Sequence, residues 1–270
     1  MKARDYAIAI VTGETLAAKL APPPGDLELD DPEPELRLRL PGRPENLPIA
    51  PARSVRVPPI AGMRDPAQRA RILHALANHE LQAIELFAWA LLAYPQAPAA
   101  FRRGLVGILA EEQIHFGLYV DRLHALGASF GDHPVTGHFW HKLDPLTGPL
   151  EFACAMGLTF EQANLDFAGD YAAAARACGD VETAAAIERV HADEIGHVGF
   201  GWTWLRRLAP DGTGADPWQT YLAHIAPPLG PARARGATLD RESRRRAGID
   251  EAFIDQLAAV SPTRPSGEPR

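Results

Sequence analysis

The chain has 270 residues, enough for one large domain or two small ones with a sizeable core. Its net charge of −7 argues against nonspecific binding to nucleic acid or to an anionic membrane surface, both of which need a basic face. The two cysteines, Cys154 and Cys178, form no Cys-x-x-Cys pair, so no disulfide framework is expected and a reducing, cytoplasmic setting fits.

The first residues, "MKARDYAIAIVTGETLAAKLA", carry Asp5 and Glu14 on either side of a short apolar run. They read as an amphipathic helix, not a secretion signal, and no apolar run is long enough to span a membrane. Residues 21–62 are rich in proline and cannot form one helix. Spaced apolar residues (Leu27, Leu29, Leu36, Leu38, Leu40, Val55, Val57, Ile60) suggest an extended arm that docks on the body. The first predicted domain is therefore 1–62, a helix followed by an arm.

The character changes at residue 63. Asp65 is an N-cap and Pro66 a first helical residue, and the first long helix runs to Tyr94, where Pro95 stops it. A second, "APAAFRRGLVGILAEEQIHFGLYVDRLHALG", follows after a very short turn and closes on Gly127. About 21 residues without helical period come next. A third helix, "PLEFACAMGLTFEQANLDFAGDYAAAARACG", ends at Gly179; a fourth starts at the N-cap Asp180 and stops before Pro210. Short links make neighbours antiparallel. Two helical hairpins joined by one long crossover are the ferritin-type arrangement of an all-α four-helix bundle, here 63–210. The remaining 211–270 form a C-terminal extension with short helices near 217–224 and 249–260 and a frayed polar end.

Chemistry enters through a repeated step, "EEQIH" at 111–115 and "DEIGH" at 193–197. In the second helix Leu105, Ile108, Glu112, His115 and Tyr119 share one stripe; in the fourth, Ile187, Val190, Glu194, His197 and Trp204 do. In the first helix Glu80 interrupts the apolar face Leu73, Leu76, Ala83, Phe87; in the third, Glu161 interrupts Leu150, Cys154, Gly157, Leu165, Ala168. Glu80 precedes Glu112 by 32 residues and Glu161 precedes Glu194 by 33, so the chain carries an internal repeat. A buried carboxylate needs a partner, and a metal ion suits Glu and His together. One Glu from each of two helices plus Glu-x-x-His from each of the other two is the inventory of a di-iron or di-manganese carboxylate site. Glu80, Glu112, His115, Glu161, Glu194 and His197 are the expected ligands, the four glutamates also being the expected catalytic groups. Two irons are expected, with Mn/Fe or Mn/Mn as variants.

Alternatives exist within the site. Glu111 can replace Glu112, and Glu85 can replace Glu80, although the repeat favours Glu112 and Glu80. Glu111 and Asp193 can accept the second ring N–H of a ligand histidine, and Tyr119 can stand just behind the ligands. His79 and His191 read as packing groups near the ligand stripes, and Trp202 and Trp204 as packing. His133, His138, Trp140 and His141 crowd the crossover, where a lid or substrate contact competes with a plain surface loop.

At these residues the sequence resembles the ferritin-like superfamily. "ELQA" at 80–83 and "EQAN" at 161–164 are similar to rubrerythrin-type motifs, and "DEIGH" to the Asp-Glu-x-x-His step of di-iron monooxygenases. "HALANHELQAIEL", "EEQIHF", "GDHP" and "DEIGHVGFGWTW" resemble more closely a bacterial ferritin-like family defined by a domain of unknown function, over about residues 60–210 and weakly over "RESRRRAGIDEAFIDQL". The resemblance implies a ferritin-like fold and a dinuclear metal centre but no substrate. The expected chemistry is an oxidase or hydroxylase using O₂ or peroxide on a small organic molecule, with an external electron donor and a possible homodimer. Peroxide reduction, ferroxidase activity with iron handling, and a non-catalytic metal-binding protein are the competing classes. No rubredoxin-like cysteine module is present to support peroxide reduction.

Overall fold

The computed structural model describes residues 1–29, 34–209 and 216–262. Among these the chain is helical, with no strand and two isolated bridge pairs, Lys2 with Glu28 and Ile49 with Val135. No described helix is long and apolar enough to cross a membrane. The chain divides into two compact units, Met1–Asp144 and Pro145–Arg270.

The first unit is built on a hairpin of α3 (Pro66–Ala93) and α4 (Ala99–Ala125). Asp65 caps α3 by accepting a bond from the Gln68 N–H at 2.9 Å, and Pro66 occupies its first turn, where no N–H is needed. Gly127 ends α4 at φ +74°, a left-handed value that favours glycine. The stretch Glu80–Ala93 is buried on every face, which a two-helix hairpin alone cannot achieve. The cover comes partly from α1 (Ala3–Thr12), which packs on α3, and α2 (Leu16–Lys19), which also contacts it. The N-terminal segment read as one helix is thus two: the backbone leaves the helical region at Gly13, with ψ 130°, and Thr15 caps α2 by accepting from the Ala18 N–H at 3.1 Å.

The proline-rich arm runs along the same unit. The Leu36 N–H donates to Leu92 O, Trp89 Nε1 donates to Leu38 O, and the Arg37 guanidinium stacks over Trp89 and Tyr94. Its best-buried side chain is Leu47, whereas Leu40, Val57 and Ile60, expected to dock, are exposed.

The second unit contains α5 (Pro149–Phe152), a π-helical stretch Ala153–Glu161, α6 (Gln162–Ala177) and α7 (Val181–Leu208). Asp180 caps α7 through the Thr183 N–H at 3.0 Å. The third helix was expected to be regular; nine residues of it are π. There the Thr159 hydroxyl donates to Cys154 O at 2.8 Å, satisfying a carbonyl in the widened ladder, and lies 2.8 Å from the Tyr221 hydroxyl.

Three short helices follow: α8 (Pro217–Ala223), α9 (Arg241–Arg246) and α10 (Glu251–Ala259). The sequence pattern anticipated α8 and α10 but not α9. The C-terminal segment shares an apolar core with α7, in which Trp202, Trp218, Tyr221 and Phe253 pack edge to face. It is also pinned by charge. Asp166 and Arg244, both fully buried, form a bidentate pair at 2.7 and 3.0 Å. The backbone N–H groups of Gly236 and Asp240 donate to the same carboxylate, and Arg244 donates to the carbonyls of Gln162, Ala234 and Asp240. Arg235 closes α10 by donating to the carbonyls of Ala258 and Val260. Pro210 and the polar end beyond Pro262 lie outside the described residues.

Candidate functional site

Each unit carries one buried triad. In the first, Glu80 comes from α3 and Glu112 and His115 from α4; one ligand atom of each lies within 4.8 Å of the others. In the second, Glu161 ends the π-helical stretch and Glu194 and His197 come from α7, under the same 4.8 Å limit. None of the six is more than 7% exposed. All six expected ligands are therefore brought into two Glu, Glu-x-x-His groups.

The local geometry suits a cation. His115 Nδ1 lies 3.3 Å from Glu112 Oε2, and His197 Nδ1 lies 3.0 Å from Glu194 Oε2. Two ligands each about 2.1 Å from one ion, at right angles, stand about 3 Å apart. Either a shared proton or a shared cation can bridge such a gap. The charges favour the cation. With an effective dielectric of about 20, two ionised carboxylates less than 5 Å apart repel by roughly 3 kcal/mol or more. Each triad places two carboxylates at that range, and burial removes the water that would otherwise screen them. Two carboxylates and an imidazole form an oxygen-rich, borderline donor set.

In the second unit the backbone sets the spacing. A Cβ on Gly157 would stand 2.7 Å from Gly201 Cα, and one on Gly201 would stand 2.8 Å from Gly157 Cα. The π-helical stretch and α7 thus meet backbone to backbone. Gly157 lies about one turn before Glu161, and Gly201 about one turn after His197, so this contact holds the triad together. Asn164 donates to Glu194 Oε1 at 3.0 Å, which orients that carboxylate while its other oxygen faces His197. Asn164 and the glycine pair were not picked out from the sequence. Asn164 stands three residues after Glu161 in "EQAN", on the same side of the helix, and an isolated glycine inside a helical pattern signals a packing reason.

The alternatives resolve individually. Glu85 sits about 140° around α3 from Glu80. It is fully buried and holds Lys19 at 2.8 Å, Arg43 at 2.7 Å and the Trp140 indole N–H at 2.8 Å. This charge is already neutralised by side chains, so Glu85 takes no place in a metal site. Glu111 is exposed on α4, and Asp193, on a half-buried edge, accepts from Arg189 Nε at 2.8 Å. Tyr119 is buried. His191 lies 3.1 Å from Leu165 O. His79 is exposed on α3 with its ring against Phe139. Trp202 and Trp204 are buried packing groups. In the crossover, Trp140 binds Glu85, His133 meets the His74 ring edge on, His138 packs on Phe139, and His141 is exposed. Gln82 and Asn78 hold the same loop, through the Phe139 N–H and Thr136 O. One face of α3 (Asn78, Gln82, Glu85) therefore anchors the crossover, while Glu80 points from another.

The family model described as "Protein of unknown function (DUF455)" matches residues 6–255. Neither the curated proteins nor the solved structures give a match.

Proposed function

Starting from a chain that belongs to the DUF455 family, whose description names no reaction, we propose from its own residues a dinuclear metal oxidoreductase, di-iron in the first instance, acting on a small organic substrate with O₂ or peroxide. The observation that carries this reading is the pair of buried Glu, Glu-x-x-His triads. The sequence repeat supports joining them into one centre: matched spacings of 32 and 33 residues put the same donor set on two successive hairpins. In this reading the hairpins are the halves of a ferritin-like four-helix bundle, whose inward-facing inventory is this set of residues.

Glu80, Glu112, His115, Glu161, Glu194 and His197 would hold the ions. Four carboxylates balance the charge of two divalent cations, which makes their shared burial tolerable. When bound, an iron or manganese pair supplies the electrons that reduce O₂ or peroxide, with an external donor restoring them. The chain's own part is positional. Asn164 fixes one glutamate, the Gly157–Gly201 contact fixes the distance between the helices that carry the second triad, and the buried setting keeps bulk water away.

Metal analysis of anaerobically purified protein tests the proposal. About two iron or manganese ions per chain are expected, with loss of metal in Glu112→Ala and His197→Ala and an optical and Mössbauer change on O₂ exposure. Zinc as the retained metal, or full metal content in both variants, would overturn it. Oxidation that deposits iron without consuming an organic substrate would assign iron handling instead.

A further inference from the structure

The first unit contains a cavity of about 290 Å³ on the crossover side of α3. Its floor is His74, Ala75 and Asn78, and its rim includes Arg56, Arg71 and His133. Asn78 and Glu80 are about 160° apart around the helix, so this cavity does not share the face that carries the metal triad.

Its chemistry has a definite sign. In a chain of net charge −7, the lining holds two arginines and three histidines and no carboxylate. Asp132, next to His133, gives its carboxylate to the Ser129 N–H at 2.7 Å. Arg71 uses Nη2 to donate to Arg56 O at 2.7 Å, which ties the two rim residues together and leaves further guanidinium N–H groups. His74 is buried and its Nε2 accepts from the Gly131 N–H at 2.9 Å. An accepting Nε2 requires the proton on Nδ1, so the ring is a neutral donor there. Asn78 is buried and its Nδ2 donates to Thr136 O at 3.1 Å, which fixes it as part of the wall. Val55, Val57 and Val135 contribute apolar wall.

We propose that this cavity binds a compact organic anion: an anionic head at Arg56, Arg71 and His133 and a small apolar body against Val55, Val57 and Val135. The head group can be a carboxylate or a phosphate, since guanidinium groups take both. The site stands apart from the metal reading, because none of its residues belongs to either triad.

Isothermal titration of the full-length protein as purified tests this, with 4-hydroxybenzoate, phenyl phosphate and neutral 4-hydroxybenzamide as probes. Saturable binding of at least one anion is expected, with the amide at least tenfold weaker; the better anion identifies the head group. Arg71→Gln should weaken the anion at least tenfold. Ala75→Leu, which fills the floor from a half-buried helix position, should weaken all three probes; circular dichroism and thermal melting confirm that both variants fold. Absence of saturable binding by both anions, equal binding of the amide, or unchanged affinity in both folded variants would overturn the proposal. Metal content measured on the same preparations reports separately on the triads.

Discussion

Gly157→Ala offers the sharpest probe of how the second triad is held. The new Cβ would stand 2.7 Å from Gly201 Cα. Non-bonded carbons settle at about 3.5–4.0 Å, so the helices must part by about 1 Å. The obstacle is backbone and cannot rotate away as a side chain would. Overpacking of this kind costs about 1–3 kcal/mol. The functional cost should be larger in proportion. Metal–ligand distances tolerate only about 0.2 Å, and Glu161 sits one turn from the contact on one helix while His197 sits one turn from it on the other. A tenfold to hundredfold loss of metal affinity is expected in chelator competition, with a fall in the urea midpoint. Gly196→Ala is the control. It lies inside the Glu194-x-x-His197 motif, yet nothing stands within 4 Å of its Cβ. It should keep full metal affinity and gain up to about 1 kcal/mol of helix propensity. Wild-type affinity in Gly157→Ala, or equal damage in Gly196→Ala, would refute the argument that backbone contact sets the spacing.

Two further outcomes are expected from groups outside the triads. Asp166→Ala leaves Arg244 buried with carbonyl partners alone and removes the acceptor of the Gly236 and Asp240 N–H groups, which should lower stability by about 3–5 kcal/mol; a loss under about 1 kcal/mol by urea unfolding would contradict the pinning role. Burial, with His133 nearby, lowers the His74 pKa from 6.5 to about 4. The unfolded chain therefore takes up a proton between these values while the folded one does not, so stability is full above pH 6.5 and falls by up to about 3 kcal/mol on going down to pH 4. His74→Gln should flatten that part of the pH–stability curve, and an unchanged slope would remove His74 as its source.

The candidate ligands were legible in the sequence because an acid inside an apolar helical stripe is a local contradiction. Glu80, Glu112, Glu161 and Glu194 each break a period of 3.6 residues, and the two Glu-x-x-His steps repeat at matched distance. Helix ends were legible for the same reason: Asp65, Pro66, Gly127 and Asp180 act on backbone groups within one turn of themselves.

Other features are long-range and leave no periodic trace. Whether Glu85 or Glu80 faces the site depends on Lys19 and Arg43, which are 66 and 42 residues from Glu85 along the chain and are brought to it only by packing. Asp166 looks like a solvated helix acid until Arg244, 78 residues on, closes over it. The π-helical stretch depends on where Thr159 and Gly157 find their partners. The cavity over His74 and Asn78 exists because the arm and the crossover arch over α3 without filling the space. Sequence by itself determined which residues could not be left alone in a helix; tertiary structure decided which neighbour each received, because an unpaired buried charge states its need locally but not the partner that meets it.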